Sequence, residues 1–412
     1  MMSSTNHAGS SSWPNYNNNL VNNNSLVNRR PHSTQDFTPS TPSVSNVSKF
    51  SPVQTKGNRL SSLVTGLGII SGLTTLSMLM SYGYKSNHLS SPNLTPVENS
   101  PNLRSGNAKL HVMVYETGKP AVDQSSKDFI SKAEHLPGFV VHRIGQGVQH
   151  QGFGTKWPLV RMVLDNMSVE NMPDDTIIVI SDNRDVVPNM MKGSSSTQPV
   201  QEFLNKFQHL TKGLSGAVVV SAEEGCCVGA LTYIKPGDLF NRTTGERTMR
   251  ACPSGEEGCT WNGEEKLQPW TSFMSVIGRS RTENPDLKNF NLNMGLVAGT
   301  KKDILKLIDQ LDLGPSEDDQ AVATDYFFNF PNLVVLDYNS ELFGNNKWYE
   351  GMDGCLYTKE GDASKLVHRD TGAAPLFLHT SGLGSNPKFT ECLDRFSHDL
   401  GYSDHSAKNP LN

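Results

Sequence analysis

Short aliphatic runs alternate with amphipathic segments from Lys109 onward. β-branched runs of this length predict buried strands, and they lie at 110–115, 139–144, 176–181, 217–221 and 291–299. Apolar residues at helical spacing predict helices at 125–135, 156–167, 199–211 and 300–313, and from Ser316, a candidate N-cap, to about Asn329. Strands that alternate with helices predict an α/β fold, with a mainly parallel sheet covered by helices on both faces.

The periodic pattern is interrupted between residues 222 and 290. The stretch at about 230–285 is rich in Gly, Thr and charged residues and predicts a long irregular insertion. Cys252 and Cys259 lie inside it with six residues between them. We expect them to form a disulfide, because the insertion has few apolar residues to order it otherwise.

The N-terminal quarter has a different composition. Residues 1–59 are rich in Asn, Ser, Thr and Pro and predict a disordered tail, because they cannot bury enough apolar surface to offset ordering entropy. Residues 60–84 carry no charge and are long enough to span a bilayer, although a buried core helix is the alternative. Residues 85–107 predict a flexible stem, and residues 108–405 predict a globular domain.

Flanking charge predicts the orientation of this span. Basic residues exceed acidic ones before it, so the positive-inside rule predicts a cytosolic tail and a luminal domain. All six cysteines and the sequons at Asn93, Asn166 and Asn241 follow the span, as expected in an oxidising, glycosylating compartment. We therefore expect a single-pass type II protein of the endoplasmic reticulum or Golgi membrane.

Two carboxylates three residues apart follow the buried run at 176–181. Asp182 and Asp185 offer hard oxygen ligands that suit Mg²⁺, Mn²⁺ or Ca²⁺. Ligands of open α/β sheets bind beyond the carboxyl ends of the strands, which is where this pair is expected to lie. Asp and Asn are also common turn residues, so the pair is either a turn or a site that holds a diphosphate through a cation.

Three further segments contain candidate site residues. Glycines in "GQGVQHQGFGTK" (145–156) permit close backbone approach to a phosphate, and Lys156 stands where the next helix begins. "SEDDQ" (316–320) is acidic but also typical of helix capping. "APLFLHTSGLGSNPK" (374–388) places His379 at a strand end and Lys388 after a Gly/Ser loop; His379 is either a core residue or a third metal ligand.

The order of these motifs along the chain resembles a known family. From "VYETG" (114–118) through "VISDNRDVV" (179–187), "VVVSAE" (218–223), "NLNMGLVAG" (291–299) and "EDDQ" (317–320) to "LFLHTSG" (376–382), the series is similar to the glycosyltransferase domain of the lysyl hydroxylase and procollagen galactosyltransferase families. The resemblance covers roughly residues 109–390. It implies a Rossmann-like GT-A fold and transfer of a hexose from a UDP-sugar with Mn²⁺ or Mg²⁺ to a hydroxyl of a glycan or protein, with no nucleic-acid partner.

The resemblance also implies roles for particular residues. They are, for the metal, Asp182, Asp185 and His379; for the nucleotide, Lys156; and for catalysis, Asp318, Asp319 and Asn293. Gly145, Gly147 and Lys388 are further candidates for nucleotide binding because of their positions in the two Gly-containing loops. The sequence departs from the family at Met294, where a serine is usual, and in its enlarged insertion. A membrane-stalked binding protein without turnover and a metal-dependent phosphohydrolase are the alternatives.

Overall fold

The computed structural model describes ten segments of the chain, all within the unit Ser90–Asn412. They are residues 109–118, 129–167, 171–214, 216–225, 229–251, 266–282, 287–346, 355–361, 363–381 and 387–403. The expected tail, span and stem lie outside these segments, as do Cys252 and Cys259. Within the segments, no helix is both long and apolar enough to cross a membrane.

A six-stranded sheet forms the centre, in the order β2-β1-β3-β6-β5-β7. Its strands are β1 (Leu110–Gly118), β2 (Phe139–Gln146), β3 (Ile177–Asp182), β5 (Val218–Glu223), β6 (Asn291–Thr300) and β7 (Val334–Asp337). The β1–β2, β1–β3 and β5–β7 pairs are parallel, whereas β6 is antiparallel to both β3 and β5. The mixed α/β fold with a mostly parallel sheet therefore agrees with the sequence pattern, and β6 is the strand that runs against its neighbours.

Helices cover both faces of this sheet, because its strands are apolar on both sides. One face packs against α2 (Lys156–Asn166), α4 (Gln268–Arg281), α5 (Lys301–Leu311) and α6 (Asp319–Asn329). The other face packs against α1 (Phe129–Ala133) and α3 (Gln198–Leu210). Neighbouring residues of a strand enter opposite cores: Ile178 and Ile180 face one, and Val179 faces the other.

A second sheet has three strands. It has the order β4-β11-β8, formed by β4 (Val186–Pro188), β11 (Phe377–His379) and β8 (Phe343–Asn345). The strands β9 (Tyr357–Lys359) and β10 (Leu366–His368) form a hairpin beside it, and α7 (Pro387–Asp399) packs into the same small core. A disulfide joins Cys355 to Cys392 within this core. The expectation of disulfides is thus met at one pair.

The stretch expected to be an irregular insertion is partly helical. Its described part begins with a 3₁₀ turn (Gly229–Tyr233) and ends in the 14-residue helix α4. Only Trp270, Met274 and Gly278 of α4 are buried. Their spacing of four residues makes a narrow apolar stripe that the many polar neighbours hide in the sequence.

The predicted N-cap of α6 is also wrong. The helix begins at Asp319, and the Asp318 side chain accepts a hydrogen bond from the Ala321 backbone N–H at 2.9 Å. Ser316 therefore lies two residues outside the cap position. Asp is as good an N-cap as Ser, so the sequence alone did not distinguish the two.

Candidate active site

The segment from Asp182 to Asp185 is a bend between β3 and β4 whose middle residues are held from outside. The side-chain amide of Asn183 and the guanidinium of Arg184 both donate to the Glu116 carboxylate, at 3.0 and 2.5 Å. The first two residues of α1 donate their backbone N–H groups to Asn183. With Asn183 and Arg184 engaged in this way, the two aspartates converge on the same side of the bend.

The small sheet brings His379 to this bend. Strand β11 runs antiparallel to β4, with His379 opposite Val186, and the Thr380 backbone N–H donates to the Asp185 carbonyl at 2.8 Å. One ligand atom from each of Asp182, Asp185 and His379 lies within 4.8 Å of the other two. His379 lies nearly 200 positions after the two aspartates in the sequence, so the pairing of β4 with β11 is what assembles the group.

Lys156 is the first residue of α2 and is buried beside the carboxylates. Its ammonium lies 3.4 Å from Asp182 Oδ1 and 3.1 Å from Asp319 Oδ2, and it donates to the Met294 carbonyl at 2.8 Å. The Trp157 indole N–H donates to the same Asp319 oxygen at 2.9 Å. Lys156 therefore links the Asp182 bend to the N-terminus of α6.

The charged side chains of this group shift one another's pKa values. Burial lowers the pKa of Lys156, but Asp182 and Asp319 raise it by more, so the ammonium keeps its proton. Burial raises the pKa of Asp182 to about 6, with a further increase from Asp185 that Lys156 opposes. Burial likewise opposes charge on His379, but the neighbouring carboxylates, Asp185 first, raise its pKa. The site is thus short of positive charge.

The four residues of the acidic run at 317–320 make different contacts. Asp318 caps α6, and burial together with the Asp319 charge raises its pKa to about 7. Asp319 contacts Lys156, as described above, and Gln320 donates to Glu223 at 3.2 Å. Glu317 belongs to another cluster altogether. The predicted residues Asp318 and Asp319 are therefore both near the site, although only Asp319 contacts Lys156.

Glu223 is a residue of this region that the sequence did not single out. It ends β5, is almost fully buried, and accepts hydrogen bonds from Asn293 at 3.0 Å and from Ser381 at 3.0 Å, in addition to the one from Gln320. Because β6 is antiparallel, its early residue Asn293 lies at the same sheet edge as Glu223. A glutamate that ends a buried apolar strand is the signal that could have identified it.

The remaining predicted residues are Gly145, Gly147 and Lys388. Gly145 and Gly147 lie at the end of β2 with positive φ angles of 88° and 74°. A Cβ at Gly145 would come within 2.9 Å of the Glu116 carbonyl, so close packing against β1 requires glycine there. A Cβ at Gly147 would meet no neighbouring atom within 4 Å. The side chain of Lys388 lies outside the described part of the structure.

The donor set suits a divalent cation. Two carboxylates and one imidazole nitrogen are ligands that Mn²⁺ accepts, and Asp182 is 34% exposed, which leaves the group open to solvent on one side. His379 Nε2 is buried and has no hydrogen-bond partner among the described residues, although Asp185 Oδ2 lies 3.3 Å away. A divalent cation placed between Nε2 and the two carboxylates would satisfy this nitrogen.

Comparison with known proteins adds little to this geometry. No family model matches the chain, and no curated protein matches it. Among solved structures, mouse xyloside xylosyltransferase 1 in its apo form is similar with a TM-score of 0.32 and 11% identity. The match covers 67% of this chain and 98% of that one. A likeness this weak carries no inference about function, which therefore has to come from the site itself.

Proposed function

We propose that this chain is a metal-dependent glycosyltransferase that moves a hexose from a UDP-sugar to a hydroxyl acceptor. The observation that carries the proposal is the convergence of Asp182, Asp185 and His379 at the carboxyl end of β3, beside the buried cation Lys156. A sugar nucleotide is strongly anionic at its diphosphate. It binds beside carboxylates only through a cation, and this group offers both the metal ligands and a lysine.

In this proposal each side chain has a defined task. Asp182, Asp185 and His379 would hold Mn²⁺ or Mg²⁺, and the bound ion would supply positive charge that neutralises the diphosphate of the leaving group. Lys156 supplies a second, fixed positive charge next to Asp182. Asp319 orients Lys156 through their contact at 3.1 Å. Asn293 is buried, donates to Glu223 at 3.0 Å and accepts from the Gly295 backbone N–H at 2.8 Å, so in this proposal it positions Glu223 at the same sheet edge.

The direct test is a donor panel. The full chain is incubated with Mn²⁺ and UDP-glucose, UDP-galactose, UDP-xylose or UDP-N-acetylglucosamine, with and without glycan and hydroxylated peptide acceptors, and both UDP and sugar products are measured. UDP release that rises with an acceptor supports transfer. Cleavage of the diphosphate with the sugar still attached to phosphate indicates a phosphohydrolase. UDP binding without turnover under any combination indicates a binding protein.

The proposal includes anchoring by residues 60–84 in the endoplasmic reticulum or Golgi membrane, with the described domain in the lumen. Asn241 is exposed, and its side-chain oxygen accepts backbone N–H groups of Thr243 and Thr244, so its sequon is accessible. We expect a glycan at Asn241 and none at Asn23 or Asn46. Protease added to intact microsomes should remove only about the first 60 residues; a glycan at Asn23 or Asn46 would contradict this topology.

A further inference from the structure

His379 is enclosed on three sides by groups of different kinds. Asn345 Oδ1 lies 2.7 Å from Nδ1. A Cβ at Gly295 would lie 2.4 Å from His379 Cε1, so the glycine backbone packs against the ring edge between the two nitrogens. Asp185 Oδ2 faces Nε2 at 3.3 Å. The imidazole is thus unable to turn without displacing one of these neighbours.

The pairing of two strands places Asn345 at this position. Strand β8 is parallel to β11, with Asn345 in register with His379, and the Asn346 backbone N–H donates to the His379 carbonyl at 2.7 Å. Residues in register on neighbouring strands point to the same side of a sheet. The backbone pairing therefore places the Asn345 and His379 side chains next to each other on the same side of the small sheet.

The hydrogen bond made by the Asn345 amide nitrogen determines the orientation of the amide group. Its nitrogen donates to the Ala222 carbonyl at 2.9 Å. A carbonyl oxygen only accepts hydrogen bonds, so the amide NH₂ has to face Ala222 and the amide oxygen has to face His379. An amide oxygen in turn only accepts, so His379 Nδ1 has to carry a proton. In neutral imidazole the lone pair then lies on Nε2.

From this geometry we infer that Asn345 is a positioning residue for the metal site. It holds His379 in the tautomer that presents the Nε2 lone pair to the space between Asp182 and Asp185. The inference rests on the proposed metal-dependent function, and it adds a residue that contacts neither metal nor substrate. Partners of this kind typically contribute 10- to 100-fold in metal affinity.

Two substitutions separate this role from simple packing. Asn345→Leu keeps a similar size but removes the acceptor for His379 Nδ1. Asn345→Asp keeps an acceptor for Nδ1 but turns a carboxylate oxygen toward the Ala222 carbonyl, which destabilises the fold. If Asn345 only fills space, Asp should be the more harmful change in every measurement. If it positions His379, Asp should preserve the metal site that Leu damages.

The test measures Mn²⁺ binding to the full chain by electron paramagnetic resonance, together with the ¹⁴N coupling of the bound ion. We expect Asn345→Leu to raise the Kd for Mn²⁺ about 10- to 100-fold and to weaken the ¹⁴N coupling from His379. Asn345→Asp should keep both the coupling and a Kd within about threefold of the unaltered chain. Asn189→Leu is the matched control, because buried Asn189 bridges only backbone groups of Leu366 and Pro375.

The outcomes distinguish the inference from the function on which it rests. If the unaltered chain binds no Mn²⁺, the proposed metal site fails and the inference fails with it. If the unaltered chain binds Mn²⁺ and Asn345→Leu binds it equally well, or Asn345→Asp binds as poorly as Asn345→Leu, only the inference is overturned.

If Asn345→Leu does not fold, the inference can still be tested on a chain that keeps Asn345. Histidine-selective ¹⁵N labelling with saturating Mg²⁺, assigned through His379→Gln, reports which ring nitrogen carries the proton. We expect Nδ1 of His379 to be protonated. A proton on Nε2 alone would overturn the inference without any Asn345 variant.

Discussion

Two buried acidic clusters of this molecule differ in how completely their carboxylates are satisfied. Glu317 accepts four hydrogen bonds: from Arg247 and the Ala251 backbone on one oxygen, and from Arg250 and the Gly314 backbone on the other. In the second cluster, Asp182, Asp185 and His379 converge, and His379 Nε2 makes no hydrogen bond to the residues that the structure describes, with Asp185 Oδ2 at 3.3 Å. The first is closed by protein donors, and the second is open to an additional cation.

How completely a carboxylate is hydrogen-bonded separates structural acidic residues from functional ones better than its degree of burial does. Both clusters hold ionised side chains in the interior, where an unpaired charge is costly. The Glu317 cluster ties the loop containing Arg247 to the turn before α6, so its charges serve the fold. In the Asp182 cluster, Lys156 faces Asp182 at 3.4 Å and His379 faces Asp185 at 3.3 Å, so these carboxylates are compensated by longer contacts than those of Glu317. The residues of the Asp182 cluster are better explained by a ligand than by stability.

The largest stability effect is expected at Glu317. Glu317→Gln removes the charge that compensates Arg247, which is only 6% exposed in its side chain. Loss of one partner of a buried ion pair typically lowers the free energy of unfolding by roughly 3–5 kcal/mol. Urea unfolding measures this loss. The Mn²⁺ affinity of the folded variant should stay within about threefold of the unaltered chain. A variant with full stability and a large loss of Mn²⁺ affinity would show that Glu317 serves the metal site and not the fold.

A smaller and pH-dependent effect is expected at Lys156. Lys156→Met leaves the Asp182 and Asp319 carboxylates without their shared cation, and we expect a loss of about 2 kcal/mol at pH 8. Without the cation the pKa of Asp182 rises further, so at pH 5 the carboxylate protonates and the loss should shrink. Added Mn²⁺ should also restore part of the stability.

Lys301→Met is the matched control for Lys156→Met. Its ammonium is buried but donates to the carbonyl oxygens of Met167 and Met172. Carbonyl groups do not titrate, so its loss of stability should be the same at pH 5 and pH 8. Equal pH profiles for the two lysine variants would contradict the role assigned to Lys156.

The smallest effect is expected at Asp318. Its pKa of about 7 in the folded chain lies above its usual value, so the folded state binds more protons than the unfolded state between about pH 4 and pH 7. Its contribution to stability is therefore present at low pH and is lost as the pH rises through 7. Asn is an equally good N-cap, so Asp318→Asn should raise the melting temperature at pH 8 and leave it nearly unchanged at pH 4. A lower melting temperature at pH 8 would contradict this reasoning.

The sequence predicted the elements of the fold better than their pairing. Strand and helix positions follow from local periodicity, which is why β1, β3, β5 and α5 lie within a few residues of their predicted bounds. β6 pairs antiparallel with both β3 and β5. No local pattern encodes that direction, so the sequence predicted a mainly parallel sheet without saying which strand runs against the others.

The site was predictable only as far as side-chain chemistry reveals it. Asp182, Asp185 and His379 have residue types that bind metals, and the structure brings them together. Glu223 and Asn345 act through hydrogen bonds that exist only once β5, β6, β8 and β11 are in register. In the sequence, Glu317 is one of three consecutive acidic residues with Asp318 and Asp319. Only the folded structure distinguishes it, through its contact with Arg247.

The most direct test of the central claim is the affinity of UDP with and without Mn²⁺. Calorimetric titration of the unaltered chain, Asp182→Asn and Asp185→Asn, each with a thermal melt, separates a turn from a metal site, because Asn suits turns at least as well as Asp. We expect Mn²⁺ to strengthen UDP binding to the unaltered chain, and each variant to lose about 10-fold or more of that affinity while still melting cooperatively. Unchanged Mn²⁺-dependent UDP affinity in both variants would contradict the metal site and the transferase function proposed from it.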